Sequence, residues 1–324
     1  MRRGALLVAL VFAVLPGRAD AFVRRLNSAG NPVFWRESCV PVTIYLNGFD
    51  DRTKVPANGG LDVAAIVKSI TAAAHAWSTD AVSCSAAGDG PSIEIVPTLA
   101  PLDAKPPPVG YDARNIIVFR TTDWLLQDSD ALAHTNVIPS NDDGHILDAD
   151  IEINAATPGQ VWLSLDPGVV PPPDPPHQTE GTRYFDLQAV LTHEFGHLLG
   201  LMHACYRSVD GPQLRDAETG DLIPNCVQGM DTTSVMDPTI EPAQSLQRTL
   251  FDDDDSAACT IYAPLRSATC ALDTPQAGCA IAPQRRSSRT ALPVGVAVAV
   301  SVVLIALARR SRRARVSDPG RARA

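Results

Sequence analysis

The chain has 324 residues, 45% hydrophobic and 19% charged, a balance that excludes wholesale disorder and allows one or two domains with a sizeable core. Its formal net charge of −9 is unevenly placed, because Phe22 to Gln284 carries fourteen basic against thirty-four acidic side chains, a net of −20. So acidic a body repels phosphate backbones, which argues against nucleic acid as a partner, and it suits calcium.

In chain order, Met1 to Ala21 reads as an export signal: a basic start, the apolar run "ALLVALVFAVLPG" and a small-residue cleavage site. "FWRESCVPVTIYLNG" then alternates apolar and polar residues through Val40, Val42, Ile44 and Leu46, as a strand does. From Leu61 to Trp77 the apolar residues Val63, Ile66, Val67, Ile70, Ala74 and Trp77 fall at helical spacing. Four further strands are predicted in "PSIEIVPTLA", "RNIIVFR", "ALAHTNVIP" and "HILDADIEIN", and a second helix over Asp186 to Gly200. A proline-rich loop, "PGVVPPPDPPHQTEG", precedes that helix.

The main body is expected to span 22–265, followed by a polar stalk over 266–290. Ala291 to Ala308 is apolar and rises about 27 Å as a helix, enough for a bilayer core. The arginine-rich tail over 309–324 would stay cytoplasmic, leaving the body outside the membrane. Seven cysteines with no CxxC pair read, in an exported chain, as disulfides rather than thiolate metal ligands. Cys39 with Cys84 would staple the first strand to the end of the first helix, and Cys205 with Cys226 would close a loop after His203. Spacing alone leaves the connectivity open, and one cysteine is left over.

The second helix carries "LTHEFGHLLGLMH", Leu191 to His203. Residues four apart share a helix face, so His193 and His197 present their imidazoles together, with Glu194 about 100° round. Gly200 permits a left-handed turn that ends the helix and returns His203 toward the other two. Three neutral imidazoles with one open position suit catalytic zinc, which lowers the pKa of bound water from 15.7 toward about 7. Glu194 is then the candidate general base, and peptide hydrolysis the implied reaction. The bland reading is the polar face of an ordinary helix. Against it, Leu187, Val190, Leu191, Leu198 and Leu199 already supply an apolar face, leaving the histidines unneeded for packing.

"HEFGHLLGLMH" resembles the metzincin zinc signature HExxHxxGxxH, and "SVMDP", Ser234 to Pro238, resembles the Met-turn that follows it. Within the metzincins the chain is most similar to the matrixins, whose closing helix "LFDDDDSAACTIYAP" also resembles. The resemblance implies an α+β fold: a twisted, mixed five-stranded sheet, an active-site helix, a Met-turn and a C-terminal helix. It implies zinc held by His193, His197 and His203, with Glu194 catalytic and Met236 as an apolar base beneath the metal. A monomer is expected, with protein or peptide substrates lying extended along the edge strand near Ala133 to Thr135, and with Pro238 to Ile240 lining the pocket beside the scissile bond.

The chain also departs from the matrixin pattern. It has no cysteine-switch segment. Of the second, structural zinc site only His134 matches; Ile146 or Leu147 stands where a further histidine is expected, and His145 is one step off. Asp148 matches a matrixin calcium ligand. The stretch between His203 and Met236 is longer than usual and holds Cys205 and Cys226, which withholds the substrate preference. The run of Cys279, apolar helix and arginines is also similar to bacterial C-terminal sorting tags. The rival to an exported, membrane-anchored zinc endopeptidase is a metal-binding surface adhesion module on the same fold. A zinc hydrolase acting on non-peptide amides is a third reading.

Overall fold

Val40, Val42 and Ile44 are buried while Cys39 and Pro41 between them are exposed, so the predicted alternation forms strand β2, Cys39–Tyr45. A computed structural model describes residues 22–51, 61–85, 88–124, 130–164, 182–207, 212–216, 220–226, 234–263 and 270. These all belong to one compact unit, Met1–Ala271. The expected signal, proline-rich loop, membrane segment and basic tail lie outside the described residues. Among those described, no helix is long and apolar enough to cross a membrane.

Before β2 comes the short β1, Val23–Arg24; after it come helix α1, Val63–His75, and strands β3, Glu94–Leu99, and β4, Ile116–Arg120. Strands β5, Ala133–Pro139, and β6, Ile146–Asn154, follow, then β7, Gln160–Leu163, and β8, Arg183–Asp186. Helix α2, Leu187–Leu198, β9, Leu201–Met202, and α3, Asp252–Ile261, complete the order. The main sheet has five strands in the order β3-β2-β4-β6-β5. Its pairs are parallel except β5 with β6, which is antiparallel and leaves β5 at an edge. Ile116 to Phe119 of β4 are all buried, as befits a strand covered on both faces. The result is a mixed α/β architecture, compatible with the expected α+β class.

Helix α1 starts at Val63 because Asp62 caps it, accepting a 2.8 Å hydrogen bond from the Ala65 amide. Ile66, Ile70 and Ala74 face the core as their spacing predicts, joined by Ser69 and Ala73. Helix α1 packs on β3, α2 packs on β5 and β6, and the two helices pack on each other. Helix α2 is not the half-exposed helix its sequence suggests: apart from Gln188 and His197 every residue in it is buried. A helix covered all round is a core element, and whatever it carries is held rigidly.

Three disulfides join Cys39 to Cys270, Cys84 to Cys259 and Cys205 to Cys226. The last is the expected loop closure. The expected Cys39–Cys84 pair is incorrect, because α3 brings Cys259 beside Cys84 and the chain returns Cys270 beside the start of β2, where its amide also donates to Glu94 Oε2 at 3.1 Å. Cys279, the cysteine left over, lies outside the described residues. Three disulfides suggest an oxidising, extracellular environment.

Candidate metal centre

Asp186, at the junction of β8 and α2, caps the motif helix by accepting from the Ala189 amide at 2.8 Å. The same carboxylate, fully buried, receives Arg248 in two hydrogen bonds, Nε to Oδ1 at 2.8 Å and Nη2 to Oδ2 at 2.6 Å. One end of α2 is thereby pinned. At the other end, Trp35 Nε1 donates to the Leu198 carbonyl at 2.9 Å and the Tyr262 hydroxyl to the Leu199 carbonyl at 2.8 Å. Trp77 Nε1 adds a bond to the Thr192 carbonyl at 2.9 Å. The carbonyls at the end of the helix, which have no partner within it, are thus met by buried side chains, and the Trp77 bond adds a tie to its middle.

The chain then reverses at Gly200, whose φ of +97° is the left-handed conformation expected of it. A side chain there is also excluded by space, since a Cβ would lie 2.6 Å from the Val33 carbonyl oxygen. The Gly200 carbonyl accepts the Arg25 amide at 2.8 Å, and β9 pairs antiparallel with β1, Leu201 opposite Arg24. This turn carries His203 back to the helix.

The three ring centroids lie 4.7 Å (His193–His197), 5.2 Å (His193–His203) and 4.9 Å (His197–His203) apart. One ligand atom from each ring lies within 4.8 Å of the others, close enough to bind a single metal ion. His193 Nδ1 is 2.7 Å from the Val235 carbonyl oxygen and His197 Nδ1 2.9 Å from that of Leu201. A carbonyl only accepts, so both rings carry their proton on Nδ1 and keep Nε2 as the lone-pair ligand. Burial holds His193 down to about 3 and His197 well below the ordinary imidazole value, the neighbouring histidines adding to the effect. Both rings are therefore neutral at pH 7, the form that ligates a metal. This donor set of three imidazoles fits zinc and other borderline divalent ions without singling one out.

Glu194 is buried beside the triad, and Thr135 Oγ1 of β5 donates to its Oε2 at 2.5 Å. Burial pushes the carboxyl up to about 7, against the pull of that hydrogen bond. Beneath α2, Ser234 to Met236 form a tight turn. Asp254 of α3 fixes it, accepting from Ser234 Oγ at 2.7 Å and the Val235 amide at 2.9 Å, while the Met236 amide donates to Ser234 Oγ at 3.0 Å. Met236 is buried against the helix backbone between the two histidines, where a Cβ on Gly196 would lie 2.2 Å from its sulfur. The turn that seats Met236 also supplies, through Val235, the carbonyl that orients His193.

The three histidines and Glu194 open on one cleft of ≈ 730 Å³, walled by Ala131 to Thr135 of the edge strand on one side and Asp237 to Pro242 on another. A larger hollow of ≈ 920 Å³ between α1 and Arg248 to Leu250 contains none of the triad. Among the described residues no other group of three metal-ligating side chains comes together. His134, the one residue that matches the second zinc site, stands opposite Glu152 in the β5–β6 register, while His145 bonds Asp143 at 2.6 Å. Asp148, the expected calcium ligand, is buried and accepts the amides of Asp112 and Ala113 at 2.6 and 2.8 Å; its neighbour Asp150 accepts those of Gly110 and Ile116. These carboxylates anchor the loop before β4.

Of the residues singled out in the sequence, His193, Glu194, His197 and His203 line the cleft, and Met236 lies buried beneath them against Gly196. Not foreseen were the hold of Thr135 on Glu194, and the roles of Arg248, Asp254, Trp35 and Tyr262, whose contacts with the site are far apart in the chain. Only Asp186 offered a local signal, as a short polar residue just before an apolar run. Compared with known proteins, the chain matches no protein-family model and no curated protein sequence.

Proposed function

We propose that the chain is an exported zinc-dependent endopeptidase, a metzincin of the matrixin type, anchored by its C-terminal apolar segment. The observation that carries the reading is the meeting of three imidazoles, two of them held neutral by burial, with a buried carboxylate in a cleft that runs past an edge strand. His193, His197 and His203 would hold the zinc, and Met236 would form the apolar floor below them. A zinc ion bound by these three residues would supply Lewis-acid chemistry, lowering the pKa of a water toward neutrality.

Glu194 acts as general base, taking the water proton and delivering it to the leaving amine. Its carboxyl, pushed up to about 7, is suited to both halves of that exchange near neutral pH. Thr135 holds Oε2 and so selects one carboxylate orientation. Edge strand β5 takes an extended peptide as an added strand near Ala133 to Thr135, aligning its backbone across the triad. Pro238 to Ile240 line the pocket that receives the residue beside the scissile bond.

Three disulfides support a location outside the reducing cytosol. The test is a cleavage profile of a peptide library by the zinc-loaded full chain, run with and without a chelator. Internal cleavage that chelation abolishes and zinc restores supports the reading; cleavage indifferent to chelation overturns it. Mass measurement of the mature protein tests the anchor, since loss of the arginine-rich tail would replace anchoring by processing.

A further inference from the structure

Of the arginines that line the cleft, Arg25, Arg183 and Arg207, the last two have an acidic neighbour among the described residues. Among the described residues Arg183 bonds Asp130 at 3.0 Å, and Glu194 is held by Thr135. Arg207 lies close enough to Asp237 for its charge to offset part of the burial that raises that carboxyl. Glu152, opposite His134 on β6, is held by Arg120. Arg25 lines the same cleft and has no carboxylate partner among the described residues. Its backbone is fixed on both sides: its amide donates to the Gly200 carbonyl at 2.8 Å and its carbonyl accepts from Val33 at 2.8 Å. The side chain therefore starts from the turn that delivers His203. The groups that feel its charge are His134 on the edge strand and His197 in the triad.

Burial lowers the Arg25 guanidinium from its usual value, with nothing opposing it. A partly desolvated cation without a counter-ion is costly unless an anion arrives to meet it. The planar guanidinium presents paired N–H donors whose spacing matches the two oxygens of a carboxylate. Between the edge strand and the triad it stands where a peptide lying along β5 has to pass.

The geometry points to Arg25 as a specificity-determining residue that binds a carboxylate of the substrate close to the scissile bond. This rests on the peptidase reading of the cleft. Two sources carry that chemistry: an acidic side chain within the peptide, or the free carboxylate of its C-terminus. An acidic side chain makes the protein an endopeptidase selective for Glu or Asp at one subsite; a chain end makes it a peptidase that trims C-termini.

The experiment measures fluorescence anisotropy of labelled peptides on the full-chain, zinc-loaded Glu194→Ala protein, which binds without turnover. One set is C-terminally amidated, with a single Glu walked through eight positions against Gln at each; a second set holds Gln throughout and ends in a free carboxylate. One position, or the free end, is expected to strengthen binding roughly tenfold. Arg25→Gln removes that preference, Arg25→Lys retains a weaker one, and Arg25→Glu transfers it to Lys-containing peptides. Equal binding of all peptides by the protein with Arg25 intact overturns the proposal without recourse to any variant, as does a preference that survives Arg25→Gln. The two readings fail separately. Library cleavage without any carboxylate preference removes the subsite and leaves the peptidase, whereas an Arg25-dependent preference without cleavage removes the peptidase and leaves the subsite.

Discussion

Thr135 Oγ1 donates to Glu194 Oε2 at 2.5 Å, so the edge strand that would receive substrate also grips the carboxylate that would do the chemistry. Thr135→Val keeps the volume and removes the donor. Loss of a hydrogen bond to a charged group is worth about 1.5–3 kcal/mol, so kcat is expected to fall roughly tenfold to a hundredfold while KM changes little. Thr135→Ser should restore most of the rate. Steady-state kinetics on one peptide substrate with the three proteins provides the check, and a change confined to KM would assign Thr135 to substrate binding instead.

Gly200 combines a φ of +97° with a Cβ position 2.6 Å from the Val33 carbonyl oxygen. Gly200→Ala therefore forces the backbone to move, at a cost of about 1–3 kcal/mol. Because His203 follows three residues later, metal affinity should fall together with stability. Urea denaturation of the metal-free protein and a competitive zinc titration measure the two separately.

The Asp186–Arg248 pair is inaccessible on the Asp186 side and nearly so on the arginine side. Removing either partner leaves a buried charge uncompensated, which typically costs about 3–5 kcal/mol. Asp186→Ala and Arg248→Ala should each destabilise by about that much, and the double variant by less than the sum. A double-mutant cycle in denaturant gives the coupling directly.

Glu194 makes the metal-free protein sensitive to pH in a defined direction. Its folded pKa, near 7, lies above the 4.5 of an unperturbed glutamate. The folded state thus binds more protons than the unfolded one between these values, and this group's stability contribution falls as pH rises from about 4.5 through about 7. Glu194→Gln removes that loss while keeping an acceptor for Thr135. The Tm advantage of Glu194→Gln over the parent should be small at pH 4.5 and grow up to pH 7 to 8. Metal-free melting curves across that range would show it; an advantage that shrinks with pH would reverse the assignment.

The histidine triad was legible in the sequence because its relation is local: the i, i+4 pair and the glycine turn fix His193, His197 and His203 within eleven residues. The alternation in β2 and the helical spacing in α1 were legible for the same reason. What stayed hidden is held by contacts distant in sequence. Thr135 and Glu194 are 59 positions apart, and Cys39 finds Cys270 across 231. Neither leaves a periodic trace. The start of α2 at Leu187 rather than Asp186 follows from capping chemistry, and its near-complete burial from α1 and the sheet packing around it.

The role proposed for Glu194 is to perform the proton transfers at a metal held by the three histidines. Its most direct measurement pairs zinc content with cleavage of an unfolded protein substrate, for the parent chain and Glu194→Ala. The account predicts about one zinc per chain in both proteins, internal peptide-bond cleavage by the parent, and a rate reduced at least a hundredfold in the variant. Cleavage by zinc-loaded Glu194→Ala at the parent rate would contradict it.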